Sequence, residues 1–508
     1  MTYLAERQVL QIVLILIFAV VFYFRKENNW LKKYFVLILA LLTLLGFTAH
    51  FNFFLFHGGR THLHNLEIYH YYMGSKYFPE LGYTKLYEAS LVADSEDDPY
   101  FRGDLAIRSL ETYELEPRSE VLARKSEIAG LFTKERWREF KEDLSVFRLT
   151  APTNWGVKFG YQDHGYNGTP FVTAILSFLS SQPFLSTRDF IQIAACLDIL
   201  LILLCGGLIA ILLGLEAGLV FLFCLAVNPL NDYLMIGGAY LRYSYLVALA
   251  LGIAFYRKNQ FILSGILVAV SGLLRIFPGL CVVGLFLSHL LRKDRLQALK
   301  SVRSFYLSFF VAGGLIFLMT SILPKPAGEN PWRGFARQIE LHRGKLTTNK
   351  VGLRYLFFFS DEHNVREVLK SWPDGQRLNW IEENEKTYEG RKPFFFIAVA
   401  AMLFLLACFL RASHGAEAFF GGVVFIFCVF LLSHYYYCLL SLIPLMFSEC
   451  RKITIFTVLA FGAMTAVALL PEIGGIVDRR FYFSSLTTLF LMVGILSAKS
   501  KVAKETVC

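Results

Sequence analysis

The chain has 508 residues and a formal net charge of +10, but only 18% of its residues are charged, 55% are hydrophobic, and the mean hydropathy is +0.49. Soluble domains carry about a quarter charged residues, so this composition points away from a soluble protein. The basic surplus comes without any RNA- or DNA-binding motif, which leaves membrane topology as its explanation and gives no reason to expect a nucleic-acid partner.

The first apolar run, residues 8–24, leads through Phe22-Tyr23-Phe24 into Arg25-Lys26, with no clustered positive n-region and no small-residue cleavage site. It is expected to be a retained helix rather than a cleaved leader. Further long runs occupy 34–56, 189–213, 304–322, 394–410, 418–433, 453–470 and 481–498; shorter ones occupy 171–184, 218–234, 238–256, 261–274, 276–291 and 437–447. A run of about 18 apolar residues spans a bilayer, so the expected fold is all-α, a polytopic transmembrane helix bundle of about 11–14 spans, some short or broken. Its stretches are 1–56 (N-terminal helices), 57–170 (a large loop), 171–322 (a core with short or re-entrant helices), 323–391 (a second loop), 392–498 (C-terminal helices) and 499–508 (a tail).

Basic residues cluster at Arg25 to Lys33, Arg257-Lys258, Arg292 to Arg303, Arg451-Lys452 and Lys499 to Lys504. Such loops face the cytoplasm, which puts 57–170 and 323–391 outside, in a plasma or inner membrane. Four runs lie between residue 170 and Arg257, where an odd number of crossings is needed. One is therefore expected to be re-entrant or broken, with Asn228-Pro229, Asn231-Asp232 and Gly237-Gly238 as break points. In the first loop, 119–143 reads as one amphipathic helix lying on the membrane or the bundle. The second loop carries aromatic and basic residues, among them Trp332, Arg337 and Trp372. Of nine cysteines, none lies in either loop, so no disulfide framework is expected there.

Four constellations could carry chemistry. Behind the second run come His57, His62, His64, Glu67, His70 and a row of tyrosines. If 63–78 is helical, His64, Glu67 and Tyr71 share a face, and Glu67 could deprotonate a hydroxyl. An interfacial aromatic belt accounts for the same composition, and the histidine spacing fits no defined zinc motif. Asp163-His164-Gly165-Tyr166-Asn167-Gly168-Thr169-Pro170 precedes re-entry into the membrane; the glycines and proline suit a loop-to-helix junction, which leaves the Asp-His pair unexplained. The run 261–291 is basic at both ends and only just long enough for two crossings, so Arg275 falls at its turn. An intramembrane arginine needs an anion, and its planar fork suits a phosphate. Arg242 is a second such candidate, and snorkelling or a structural ion pair is the alternative for both. Last, His434-Tyr435-Tyr436-Tyr437 offers stacking faces for a sugar, or another aromatic belt.

Together these features resemble the GT-C class of polyprenyl-phosphate-sugar-dependent glycosyltransferases, in particular its mannosyltransferase- and arabinofuranosyltransferase-like branch. That branch carries an acidic residue soon after an early helix, followed by a Tyr-rich stretch; Glu67-Ile68-Tyr69, continuing to Lys76-Tyr77-Phe78, stands in that place. The family usually has Asp there, so Glu67 departs from its pattern. Tyr166 to Pro170-Phe171 and the hairpin ending in Arg275-Ile276-Phe277-Pro278 are similar to two further family features, with Arg where Lys is usual. The likeness covers most of 34–300 in layout. It implies transfer of a sugar, with inversion, from a polyprenyl-phosphate carrier to a hydroxyl of a glycan, lipid or protein acceptor at the outer face. The lipid-linked sugar is a co-substrate, and no cofactor or metal is implied. Glu67 would be the base with Asp163 in reserve. Arg275 and Arg242 would hold the carrier phosphate, and His64, His70, His164, Tyr71 and His434 would contact substrate. A transporter or flippase of a lipid-linked or anionic substrate would use the same cations and need no base.

Overall fold

The computed structural model describes residues 4–25, 27–58, 61–96, 106–150, 161–182, 185–323, 329–343, 346, 349–362, 376–470 and 477–505. Trp372 lies outside them. The chain is overwhelmingly helical, with two short two-stranded ladders among the described residues. Among the described residues, seven helices are long and apolar enough to cross a membrane: α1 (Leu4–Phe24), α2 (Asn29–His50), α9 (Thr187–Leu213), α14 (Arg303–Thr320), α16 (Gln376–Ala412), α18 (Arg451–Leu469) and α19 (Val477–Glu505). By length and composition this is a multi-pass membrane protein. Several apolar runs form shorter helices instead: α8 (Pro170–Ser180), α10 (Leu215–Val227), α11 (Ser244–Arg257), α12 (Phe261–Leu274), α13 (Cys281–Leu291) and α17 (Ala418–Val429); the polar helix α15 (Pro331–Arg343) lies between α14 and α16.

The expected break points are real. α10 ends at Val227, a turn follows through Asn228 to Asp232, one helical turn spans Tyr233–Ile236, and Gly237-Gly238 lead into the turns and bends before α11. α12 ends at Leu274, Arg275 is extended (φ −148°, ψ 130°), and one turn at Ile276–Gly279 precedes α13. Gly272 and Gly279 are back to back at this turn: a Cβ on either would sit 2.7–2.8 Å from the other's Cα. The run 34–56 is not helical throughout, since α2 stops at His50 and Asn52, Phe53, Phe54 and Phe56 take positive φ. Nor do 418–433 and 437–447 form two spans. After α17 come a strand at Leu432–Ser433, a 3-10 helix at His434–Leu442 and a single turn at Ile443–Met446.

The expectation of one amphipathic helix over 119–143 needs correction. That region is α5 (Arg118–Ala123), α6 (Lys125–Ala129) and α7 (Lys134–Thr150). Gly130 ends the second piece, and the Thr133 hydroxyl accepts the Arg136 N–H (3.3 Å) to start the third. The pieces pack against α3 (Asn65–Lys76) and α4 (Leu86–Glu96) to form a small folded cap. Buried polar contacts hold it: Lys76 Nζ to Asp143 (2.7 Å), Tyr77 Oη to Asp143 (2.7 Å) and Arg148 to Asp94 (2.6 Å). Asp143 also accepts the Thr187 hydroxyl, which ties the cap to the start of α9.

Contacts sort the connections into two poles. At one, Arg25 pairs with Glu216, Arg451 donates to the Phe22 and Tyr23 carbonyls (2.7 Å each), Arg257 donates to the Leu445 carbonyl (3.4 Å) and Arg292 meets His414 (3.0 Å). At the other, Arg7 grips Asp232 with both nitrogens (2.5 and 2.7 Å), Arg480 donates to the Pro229 carbonyl (2.6 Å) and the cap packs on α8. Arg25, Arg257, Arg292 and Arg451, from four basic clusters separated in sequence, thus share one pole.

Candidate functional site

The second pole gathers residues from five parts of the chain. α3 begins at His64, whose Nδ1 accepts the Glu67 N–H (3.4 Å), and whose own N–H donates to the Gly238 carbonyl (3.0 Å). His57 Nε2 meets the Gly237 carbonyl (2.9 Å), and Tyr233 donates to the His62 carbonyl (2.9 Å). His57, His62 and His64 are thereby clipped to the break between α10 and α11. The clip requires glycine at 238: its φ is +70°, and a Cβ there would lie 1.7 Å from the His62 oxygen. The loop 163–170 is fixed to the hairpin turn by Thr169, whose hydroxyl donates to the Leu273 carbonyl (2.5 Å) and caps α8 by accepting the Val172 N–H (3.2 Å).

Within this frame Arg242 Nη1 pairs with Glu67 Oε2 at 2.8 Å. The Tyr71 hydroxyl, one turn further along α3, accepts from Arg242 Nη1 (3.4 Å) and from Arg275 Nη2, and donates to Asn167 Oδ1 (2.8 Å). A phenol has one proton and two lone pairs, so these bonds saturate it. Arg275 Nη1 reaches the same Asn167 oxygen at 3.5 Å. Tyr435 closes the cluster, its ring 4.1 Å from the Arg242 guanidinium carbon and 5.9 Å from that of Arg275. The expected shared face of Glu67 and Tyr71 is therefore present, and it faces both arginines.

The two arginines differ in partners. Arg242 has a carboxylate. Arg275 is 8% exposed and is held by a phenol, an amide and aromatic faces, with no carboxylate among the described residues. Glu67 has 23% of its side chain exposed. Burial pushes its carboxyl up, but Arg242, followed by His64, His70 and Arg275, holds it below the usual carboxylate range.

The other candidates are placed around this cluster. His64 acts as the cap of α3 and sits edge-on to His57, so it positions Glu67. His70 Nε2 bonds the Tyr87 hydroxyl (2.7 Å) inside the cap. Burial lowers both imidazoles below their usual range. Asp163 acts electrostatically on His70 and Arg108. His164 stacks on Tyr113 (5.3 Å, 22°). His434 stacks on Phe481 (5.3 Å) behind the cluster; both its ring nitrogens are buried without a hydrogen-bond partner among the described residues. No group of three or more His, Cys, Asp or Glu among the described residues is arranged to hold a metal ion.

Two residues escaped the sequence reading. Asp198, within α9, accepts the backbone N–H groups of Arg242 and Tyr243 at 2.9 Å each. A lone carboxylate inside an apolar run was its signal. Lys350 is buried and pairs across a ladder with Ser433, which brings the second loop to Tyr435.

The class that fold and site define is a multi-pass helical membrane protein with a buried cationic cluster at one pole. In comparisons with known proteins, no family model, no curated protein and no solved structure matches this chain.

Proposed function

We propose that the protein is a glycosyltransferase of the outer membrane face, taking a sugar from a polyprenyl-phosphate carrier. The observation that carries the reading is Arg275: a buried guanidinium whose hydrogen-bond partners among the described residues, Tyr71 and Asn167, are neutral, and which shares Tyr71 with the Glu67–Arg242 pair. A buried cation is costly unless an anion joins it, and a carrier phosphate supplies one at that depth. The basic residues gathered at the opposite pole support the outward orientation of this one.

On this reading the acceptor hydroxyl approaches the anomeric carbon from the side of Glu67. The new C–O bond forms as the bond to the phosphate oxygen breaks. The hydroxyl proton passes to Glu67, and the carrier phosphate leaves against Arg275. A single displacement of this kind inverts the anomeric carbon. Glu67, held ionised by Arg242, is a weak base, but the attacking hydroxyl grows more acidic as its bond forms, so late proton transfer suffices. Tyr435 offers the sugar a ring face beside the arginines.

The test uses purified protein in liposomes with labelled polyprenyl-phosphate sugars. Transfer to an acceptor is expected, and Glu67→Gln should lower turnover by roughly 10²–10⁴ at unchanged carrier binding. Carrier movement across the bilayer without transfer, equal in wild type and Glu67→Gln, would replace the transferase with a flippase.

A further inference from the structure

We infer that Asp198 is the positioning residue that aims Arg242 at Glu67. Asp198 lies eleven residues inside α9, about 16 Å along the helix from its cap-facing end. A carboxyl group at that depth is costly and demands partners. Its partners are two consecutive backbone N–H groups, those of Arg242 on Oδ2 and Tyr243 on Oδ1, both at 2.9 Å. They stand just ahead of α11, where the first N–H groups of a helix have no partner of their own. Asp198 satisfies them from a different helix and pins the main chain at the residue that carries the guanidinium.

Two independent observations indicate that this pin is needed. Leu241, immediately before Arg242, is held at φ 52°, a left-handed conformation that a branched side chain adopts only when its surroundings enforce it. The Arg242 guanidinium is hydrogen-bonded at one nitrogen only: its bonds to Glu67 and Tyr71 both come from Nη1, the Tyr435 ring lies 4.1 Å from its carbon, and its Nε is buried without a hydrogen-bond partner among the described residues. Where the guanidinium points therefore depends on where its backbone starts as well as on these contacts. Asp198 touches neither Glu67 nor Tyr71; its effect on them passes through Arg242.

The experiment has two arms. The first, hydrogen–deuterium exchange of the full-length protein in detergent, does not depend on the proposed reaction. Asp198→Asn keeps the shape but sets an amide N–H₂ against one backbone donor. Exchange should rise in the peptide covering 237–246 and nowhere else. Asp198→Ser, which retains one acceptor, should show the same local rise. Unchanged exchange in that peptide overturns the inference. So does a rise throughout the chain, or unfolding of both variants, because Asp198 is then a structural residue of the bundle.

The second arm rests on the transferase reading and follows the acid limb of transfer from a polyprenyl-phosphate sugar. Glu67 feels Arg242, His64, His70 and Arg275. Releasing Arg242 should move the limb to higher pH in Asp198→Asn, with no further movement when Asp198→Asn is added to Arg242→Met. Additive shifts, or none, show that Asp198 does not act through Arg242. If the wild type transfers no sugar, the transferase reading fails, and the exchange arm alone decides on Asp198.

Discussion

Arg275 and Arg242 lie on the same tyrosine, yet replacing each with Met should have opposite consequences. Among the described residues Arg275 has no carboxylate in contact, and Glu67 keeps Arg242, so Arg275→Met strands no ion-pair partner. Tyr71 keeps its bonds to Arg242 and Asn167. The substitution also removes the desolvation cost of a buried ion, several kcal/mol by general experience. The Met variant should therefore melt at or above the wild-type temperature in the absence of carrier. Arg242→Met leaves Glu67 without the guanidinium 2.8 Å away and should cost about 3–5 kcal/mol, the usual penalty for breaking a buried pair. Carrier binding is expected to separate the variants again. Losing a charged, hydrogen-bonded contact to a phosphate costs about 2–5 kcal/mol, or roughly 30-fold to several-thousand-fold in affinity. Thermal shift with a polyprenyl phosphate in detergent micelles measures both quantities. A folded Arg275→Met protein that the carrier stabilises as strongly as wild type would refute the phosphate-anchor argument. A Met variant that melts far below wild type would make Arg275 an ion-pair partner instead.

Glu67 is held below the usual carboxylate range, so its pairing with Arg242 stabilises the fold at pH values above the ordinary carboxylate pKa and is lost as pH falls through the depressed value. Transfer should keep its base form to correspondingly low pH, and in Arg242→Met the acid limb should move up; an unmoved limb in a pH–rate profile removes Glu67 from the rate law. Gly238→Ala must displace the His62 carbonyl and accept a left-handed alanine, so it should lower stability by roughly 1–3 kcal/mol in thermal unfolding. Single cysteines at Glu111 and Glu362, introduced into a cysteine-depleted protein, should react with an impermeant thiol reagent in intact cells, whereas one at Lys293 should react only after lysis. The reverse pattern inverts the orientation.

What was legible in the sequence was what periodicity and breakers encode. The turn at Arg275, the breaks from Asn228 to Gly238 and the shared face of Glu67 and Tyr71 all follow from local spacing. The pairing of Glu67 with Arg242 spans 175 positions, and nothing local announces it. The charge of Arg242 is visible in the sequence and its partner is not, so a phosphate ligand and a structural ion pair both stay open for it there. Asp198 was overlooked although it stands alone in an apolar run; hydropathy averaging absorbs one carboxylate among so many aliphatic neighbours. The reading of 119–143 as one helix gave weight to its charged-and-apolar alternation and too little to Gly130 and Thr133, whose local chemistry divides it.

The short helices around the site set its altitude. α10, α11, α12, α13 and α17 have 13, 14, 14, 11 and 12 residues, so each rises only about 16–21 Å, against a hydrocarbon layer of about 30 Å. Starting from the basic pole, they rise less than that thickness; Arg242 and Arg275 stand just beyond the ends of α11 and α12, and Tyr435 stands past the strand that follows α17. The floor of the site is thus set below the level that a full-length span would reach. On the proposed reading the donor can arrive sideways, drifting within its own leaflet with its tail never leaving oil, and the water-borne acceptor is the substrate that must make the descent, past the cap built by α3 to α7.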